Sequence, residues 1–286
     1  MTSKYFSDRE TGPRARTSEE FTGAGWGGIV ALVHSLIATG ALGVDFPDNC
    51  RDGRGPIGTN EYTLGLAVQA EIPGLPWPLD VTAIPTALVI LDLIEFCYEH
   101  VAKPTKGSFH DYFDHYHLNY DRDAGRAEFA ERANQILARN GMAFELNSAG
   151  EITRLAPPVL SEALASAVFQ TGERELDRLL ESARTKFLSP DLEVRRDALE
   201  KLWDAWERLK TVLRPEDKKQ SIAMLLERAA PDPKARAALE AEAFELSRIG
   251  NAFRIRHSEM DKIPIDSSAQ VDYLFHRMFA MIQLLL

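Results

Sequence analysis

Hydrophobic residues recur at helical spacing over most of this chain. Apolar side chains repeat every three or four positions over residues 28–41, and residues 84–98 are apolar enough for a mostly buried helix with Pro85 in its first turn. After Pro157 and Pro158 the same periodicity predicts helices over 158–168, 172–187, 191–213, 216–230, 233–257 and 267–285. The last of these is apolar on nearly every side, so we expect it to be buried in a bundle or against another subunit.

Residues 126–154 predict a small unit of a different kind. An amphipathic helix ends at Gly141, and two short apolar strands follow on either side of a turn at Asn147 to Gly150. The arrangement is comparable to half of a winged helix. Because Arg154 is the one basic residue of this hairpin, a structural spacer is a better interpretation than a nucleic-acid wing.

Loops rich in glycine and proline separate these elements and suggest the domain organisation. The glycines of residues 45–60 do not match a phosphate-binding loop, because no Gly-Lys-Ser or Gly-Lys-Thr follows them. We predict a mainly α fold with three parts: an α-rich N-terminal domain (1–125), a helix plus β-hairpin unit (126–156) and a helical domain (157–286).

Composition limits the possible functions. The 286 residues are 45% hydrophobic, which is enough for a substantial core, and the net charge of −10 argues against nonspecific binding to nucleic acid. No apolar run approaches the length of a membrane span, and no secretory leader is recognisable. We therefore expect a soluble, cytoplasmic protein whose two cysteines, Cys50 and Cys97, are reduced and structural, with no cofactor.

The densest polar and aromatic stretch is residues 108–125, where three histidines lie among aspartates. His115 and His117 alternate as on an extended segment, so both side chains would point to one side. With His110 and the neighbouring aspartates they suggest a metal site, but a histidine pair needs a third ligand, which the spacing does not identify. A surface or interdomain junction with aromatic anchors is therefore favoured, no metal site is predicted, and a metal-dependent hydrolase remains a third alternative.

Residues 248–262 concentrate three arginines, an asparagine and a histidine near the end of the helical region. On a continuous helix, His257 falls on the apolar stripe with Arg254 and Arg256 on either side. A histidine can transfer a proton and arginines can neutralise a phosphate, so these residue types suit phosphodiester cleavage. The alternative is an ordinary solvated helix end, where a histidine is favoured by the helix macrodipole.

The run GNAFRIRH, residues 250–257, resembles the signature of HEPN domains, particularly those of abortive-infection (AbiJ-like) bacterial proteins. The family pattern is an arginine, then commonly a polar residue such as asparagine, then a histidine further on. Asn251 and His257 align with the polar residue and the histidine, but Gly250 stands where the arginine is expected. The resemblance implies a HEPN-like helical bundle in the C-terminal region.

The resemblance also implies a function. Many members are metal-independent ribonucleases that act as dimers, so it implies an RNA-directed endoribonuclease toxin in phage defence. His257 would be the acid or base, Arg254 and Arg256 the phosphate stabilisers and Asn251 an orienting donor. The expected partners are RNA, with tRNA among the candidates, a second copy through the C-terminal helices, and a regulatory protein. Glycine at position 250 favours the alternative, a noncatalytic HEPN-like module that docks a partner protein or a nucleotide ligand.

Overall fold

Helices dominate the part of the chain that this computed structural model describes, residues 5–253, 255 and 263–286. The described helices are α1 (Phe6–Thr11), α2 (Gly23–Thr39), α3 (Glu61–Glu71), α4 (Ala87–His100), α5 (Arg122–Arg139), α6 (Pro158–Ser166), α7 (Arg174–Phe187), α8 (Leu192–Leu209), α9 (Lys218–Ala229), α10 (Pro233–Ala252) and α11 (Ser268–Leu285). The described strands are β1 (Pro47–Asn49), β2 (Pro56–Thr59), β3 (Lys103–His110), β4 (His115–Asp121), β5 (Phe144–Leu146) and β6 (Ile152–Arg154). The predicted mainly α fold is confirmed at this level.

The chain divides into two compact units, the first ending at Leu155 and the second beginning at Ala156. In the first unit, α2 and α4 are the two largest contributors to a core in which Trp26, Leu42 and Ile90 are fully buried. The helix and hairpin of residues 126–154 belong to this unit, because α5 contacts both α2 and α4. The six strands form three separate antiparallel hairpins, β1–β2, β3–β4 and β5–β6.

The helices α6 to α11 are joined by loops in the described part of the second unit, with one isolated β-bridge between Phe253 and Ile263. The core of this unit brings α8 against α7 and α11, and the rings of Phe187 and Phe275 stack with centroids 3.9 Å apart. The expected burial of the apolar last helix is confirmed, since Phe275, Met278 and Ile282 are fully buried. None of the described helices has the length and apolarity that crossing a membrane requires.

Two predictions about local structure were wrong. The helix expected over 233–257 ends at Ala252, because Phe253 is extended (φ −93°, ψ 161°) and forms an isolated β-bridge with Ile263. Residues 45–60 were expected to be a loop with several turns, yet β1 and β2 pair within them. Both structures depend on pairing with another segment, which local periodicity does not show.

Arg195, in the first turn of α8, is fully buried in the second unit. Its guanidinium donates hydrogen bonds to the carbonyl oxygens of Ser189 and Pro190, at 3.0 and 2.9 Å, and to Ser268 Oγ at 2.9 Å. Hydrogen bonds of this kind offset the cost of burying a charged group. Arg195 therefore ties the start of α8 to the start of α11.

We expect Arg195→Met to lower the free energy of unfolding by about 3 kcal/mol, because three partly buried acceptors lose their donor. Chemical denaturation of the full chain measures this loss. Arg178→Met is the matched control, since Arg178 is exposed and pairs with Glu175 within α7, so its unfolding midpoint should not move. Equal midpoints for both variants would show that Arg195 does not stabilise the bundle.

Candidate metal centre

Four nitrogen and sulfur donors converge in the first unit, although they come from separate parts of the sequence. One ligand atom from each side chain lies within 4.8 Å of all the others, in the set Cys50, His110, His115 and His117. Bonds to zinc of about 2.0–2.3 Å would place tetrahedral ligand atoms about 3.3–3.8 Å apart. Cys50 Sγ and His110 Nδ1 are already 3.5 Å apart, so small side-chain rotations bring the set into the range for coordination.

The β3–β4 hairpin positions the three imidazole rings. His110 and His115 are directly paired at its end, and Phe109 pairs with Tyr116 one step further in. The register then shifts, so that Gly107 and Ser108 together oppose His117. This is a β-bulge, which bends a strand and redirects its side chains.

Glycine is needed at this bulge because the strands approach closely. A Cβ atom on Gly107 would lie 2.9 Å from Asn119 Nδ2 and 3.0 Å from the carbonyl oxygen of His117. The neighbouring Ser108 Oγ is 3.3 Å from His117 Nδ1. This contact leaves the other ring nitrogen of His117 for the cluster, as is common where a second residue orients a metal-binding histidine.

An aromatic side chain covers the tip of the hairpin. The turn from His110 to His115 is closed by a hydrogen bond from Phe113 N–H to the His110 carbonyl oxygen, and Asp114 adopts a left-handed conformation (φ 52°). The Phe113 ring stacks on His115 with centroids 5.8 Å apart and meets His110 edge-on at 4.9 Å. This apolar cover limits the access of water to the imidazoles.

Cys50 reaches the cluster from the turn between β1 and β2. Its N–H donates to the Gly55 carbonyl oxygen, and the Gly53 N–H donates to the Cys50 carbonyl oxygen, both at 2.9 Å. Positive φ at Gly53 and Gly55 (74° and 149°) makes this tight turn possible. The side chain of Cys50 is consequently buried, with 3% exposure.

Asp52 connects this turn to the hairpin. Its Oδ2 atom is 3.3 Å from His110 Nδ1, and its Oδ1 accepts a hydrogen bond from the Arg54 N–H at 3.1 Å. Burial raises the pKa of the Cys50 thiol, as does its hydrogen bond to Asp52. The same hydrogen bond lowers the pKa of Asp52, with His110 and Arg54 acting in the same direction. A coordinated cation would oppose the shift at Cys50, because it stabilises the thiolate.

The strongest sign of a ligand is a pair of polar atoms left without partners. His115 Nε2 and His117 Nε2 are both inaccessible to solvent and have no hydrogen-bond partner in the part of the chain that the structure describes, and the whole His117 residue is only 9% exposed. An unsatisfied buried polar atom costs about 1–3 kcal/mol. A metal ion bound between these nitrogens would remove that cost.

The sequence predicted part of this arrangement. The expectation that His115 and His117 lie on an extended segment is confirmed by β4. To that pair the structure adds His110 and Cys50 as candidate ligands, and Cys50, which was interpreted as structural, lies 60 residues before His110. No local sequence pattern predicts the contact between Cys50 and His110. The pairing of His110 with His115 did have a sequence signal, because the two histidines flank a short turn.

The other predicted site, around residues 248–257, is described only in part. Asn251 is exposed in the last turn of α10, whereas Arg254, Arg256 and His257 lie outside the described residues. Gly250, which stands where the HEPN-like pattern expects arginine, is buried against α8. A Cβ atom there would lie 2.2 Å from Trp203 Cδ1, so the indole ring occupies the space that any larger side chain would need.

No protein-family model matches this sequence, and comparison with curated proteins and with solved structures gives no match. What the chain binds must therefore be inferred from its own residues.

The contact between Gly250 and Trp203 predicts the effect of a single methyl group. We expect Gly250→Ala to lower the free energy of unfolding by about 1–3 kcal/mol, because overpacking must displace the indole, which also donates to the Leu246 carbonyl oxygen. Gly27→Ala in α2 is the control, since a Cβ there meets nothing within 4 Å. That variant should gain about 0.5–1 kcal/mol from helix propensity. Thermal or chemical unfolding that showed a gain at both positions would refute the close contact.

Proposed function

We propose that the first unit of this protein binds one zinc ion through Cys50, His110, His115 and His117. The proposal is carried by two observations: one donor atom from each of the four side chains lies within 4.8 Å of the others, and His115 Nε2 and His117 Nε2 are buried with no hydrogen-bond partner among the described residues. Three imidazoles and a thiolate suit zinc, which prefers nitrogen and sulfur ligands in a tetrahedral arrangement. Magnesium and calcium are disfavoured, because they prefer oxygen ligands.

The ligand number indicates what the metal does. Four protein ligands close the coordination sphere, which is typical of structural zinc sites. Here the ion would join the β1–β2 turn to the β3–β4 hairpin. An isolated two-stranded hairpin is marginally stable in water, so both elements would gain from a shared metal. A reducing cytoplasm, which we propose as the location, keeps the thiol available.

Metal analysis of protein purified from zinc-supplemented cells tests this proposal. We expect about one zinc per chain, and a chelator should lower the unfolding temperature, because a ligand at about 1,000 times its Kd stabilises the folded state by about 4 kcal/mol. His115→Ala should lose the metal and unfold near the chelated temperature. His34→Ala, which removes an exposed histidine of α2, should retain it.

The zinc proposal fails if wild-type protein contains no stoichiometric zinc and the chelated protein takes up none on titration. It also fails if His34→Ala loses the metal to the same extent as His115→Ala, because binding would then be nonspecific.

For the second unit we propose the noncatalytic form of a HEPN-like module, which docks a partner protein or a nucleotide ligand. One specific observation favours it over the endoribonuclease: Gly250 fills the arginine position, and Trp203 leaves no room there for a cationic side chain. Without that cation, a pentacoordinate phosphate transition state loses a main source of charge stabilisation. An RNA-directed role in phage defence and a homodimer through the C-terminal helices belong to the same proposal.

A cleavage assay on total RNA and on tRNA, without added metal, distinguishes the two forms. We expect intact RNA from the wild type, with no difference from His257→Ala or Arg254→Ala. The noncatalytic proposal is wrong if the wild type cleaves RNA and both variants, folded by circular dichroism, do not. That result would show that an arginine elsewhere in the segment replaces the one missing at position 250.

A further inference from the structure

Three of the four donors in the candidate centre belong to a single structural element. His110, His115 and His117 lie on one hairpin, within eight consecutive positions of the chain. Their ring centroids are 5.5 Å apart for His110 and His115, 5.5 Å for His110 and His117, and 5.4 Å for His115 and His117. The three imidazoles therefore form a nearly equilateral triangle, which is the arrangement of three ligands on one face of a metal ion.

Contacts within the hairpin position all three imidazoles, and the β1–β2 turn adds contacts from Asp52 and Cys50 to His110. Direct pairing sets His110 beside His115, the bulge and Ser108 orient His117, and the Phe113 ring contacts both His110 and His115. None of these hairpin contacts involves the β1–β2 turn. The three histidines are thus positioned whether or not Cys50 is a ligand.

Cys50 is held in a different way. It begins a glycine-containing turn whose residues 51–54 are exposed, and a Cβ on Gly53 or Gly55 would meet nothing within 4 Å. The register of β1 and β2 is irregular immediately before it, between Asp48 and Asn49. The thiolate is therefore the ligand whose supporting segment can move with the least disturbance to the rest of the centre.

We propose that the three histidines can hold the metal ion by themselves and that Cys50 is a fourth ligand that can dissociate. When the thiolate leaves, one coordination position opens to water or to a small anion. This inference rests on the proposed zinc binding and deepens it, because three protein ligands and an open position distinguish reactive zinc centres from closed structural ones. The centre would then have two states, a closed one with Cys50 bound and an open one without it.

Cobalt(II) replaces zinc in tetrahedral sites and reports its ligands by visible and near-ultraviolet absorption. Wild-type protein loaded with cobalt should show a thiolate-to-metal charge-transfer band, and excess azide should weaken that band as it takes the position of Cys50. Cys50→Ala should still bind one cobalt per chain at saturation, lose the charge-transfer band and change its d–d spectrum on addition of azide. His115→Ala, which breaks the triangle, should not bind cobalt at one per chain.

Cys50→Ser, which preserves the size of the side chain, repeats the test if the alanine variant does not fold. The inference is overturned if folded Cys50 variants bind no cobalt, since the histidines would then be insufficient, or if their spectra ignore azide, since no position would be open. Wild-type protein that binds no metal would instead overturn the zinc proposal itself. The two failures are therefore distinguishable in one set of samples.

Discussion

The pairing register of the β3–β4 hairpin is the constraint on which the candidate metal centre depends. Direct pairing of His110 with His115, followed by a bulge opposite His117, brings the centroids of three imidazole rings to within 5.5 Å of each other. Because side chains alternate between the faces of a strand, a slip of one residue would send these histidines to the opposite face. The glycine at position 107 protects this register, since a larger residue would collide with Asn119 and with the His117 backbone.

The same cluster links two elements that are weak by themselves. The β1–β2 hairpin has strands of only three and four residues, and its turn is largely exposed. Cys50 and Asp52 connect that turn to His110 by contacts of 3.5 and 3.3 Å. A metal bond at this place would close a loop of 60 residues, and a link that closes a long loop removes more conformational freedom from the unfolded chain than one that closes a short loop.

Features that depend on residues close together in the sequence were predicted better than features that depend on contacts between distant residues. The helices of the second unit were predicted within a few residues, because apolar periodicity, and the proline at the start of α6 and of α10, act within a single helix. The end of α10 was not predicted, because Phe253 leaves the helix to pair with Ile263, ten residues later.

The metal cluster needs Cys50 beside His110, and only the folded chain brings these two residues together. His115 and His117 were placed correctly on one side of a strand, since that step needs only the alternation of a strand.

The sequence motif and the structure give different interpretations of Gly250. In the motif it is a missing arginine, which leaves open whether another side chain could take its place. In the structure it is the position where α10 approaches α8 closely enough for Trp203 to bond to the Leu246 carbonyl oxygen, while neighbouring Trp206 bonds to Ser247 Oγ, both at 3.0 Å. Glycine at this position is therefore explained by core packing, and an arginine there would require the two helices to separate. An arginine at position 250 is therefore incompatible with the packing of α10 against α8. Any side chain that contacted a phosphate near Asn251 would have to come from another position in the segment.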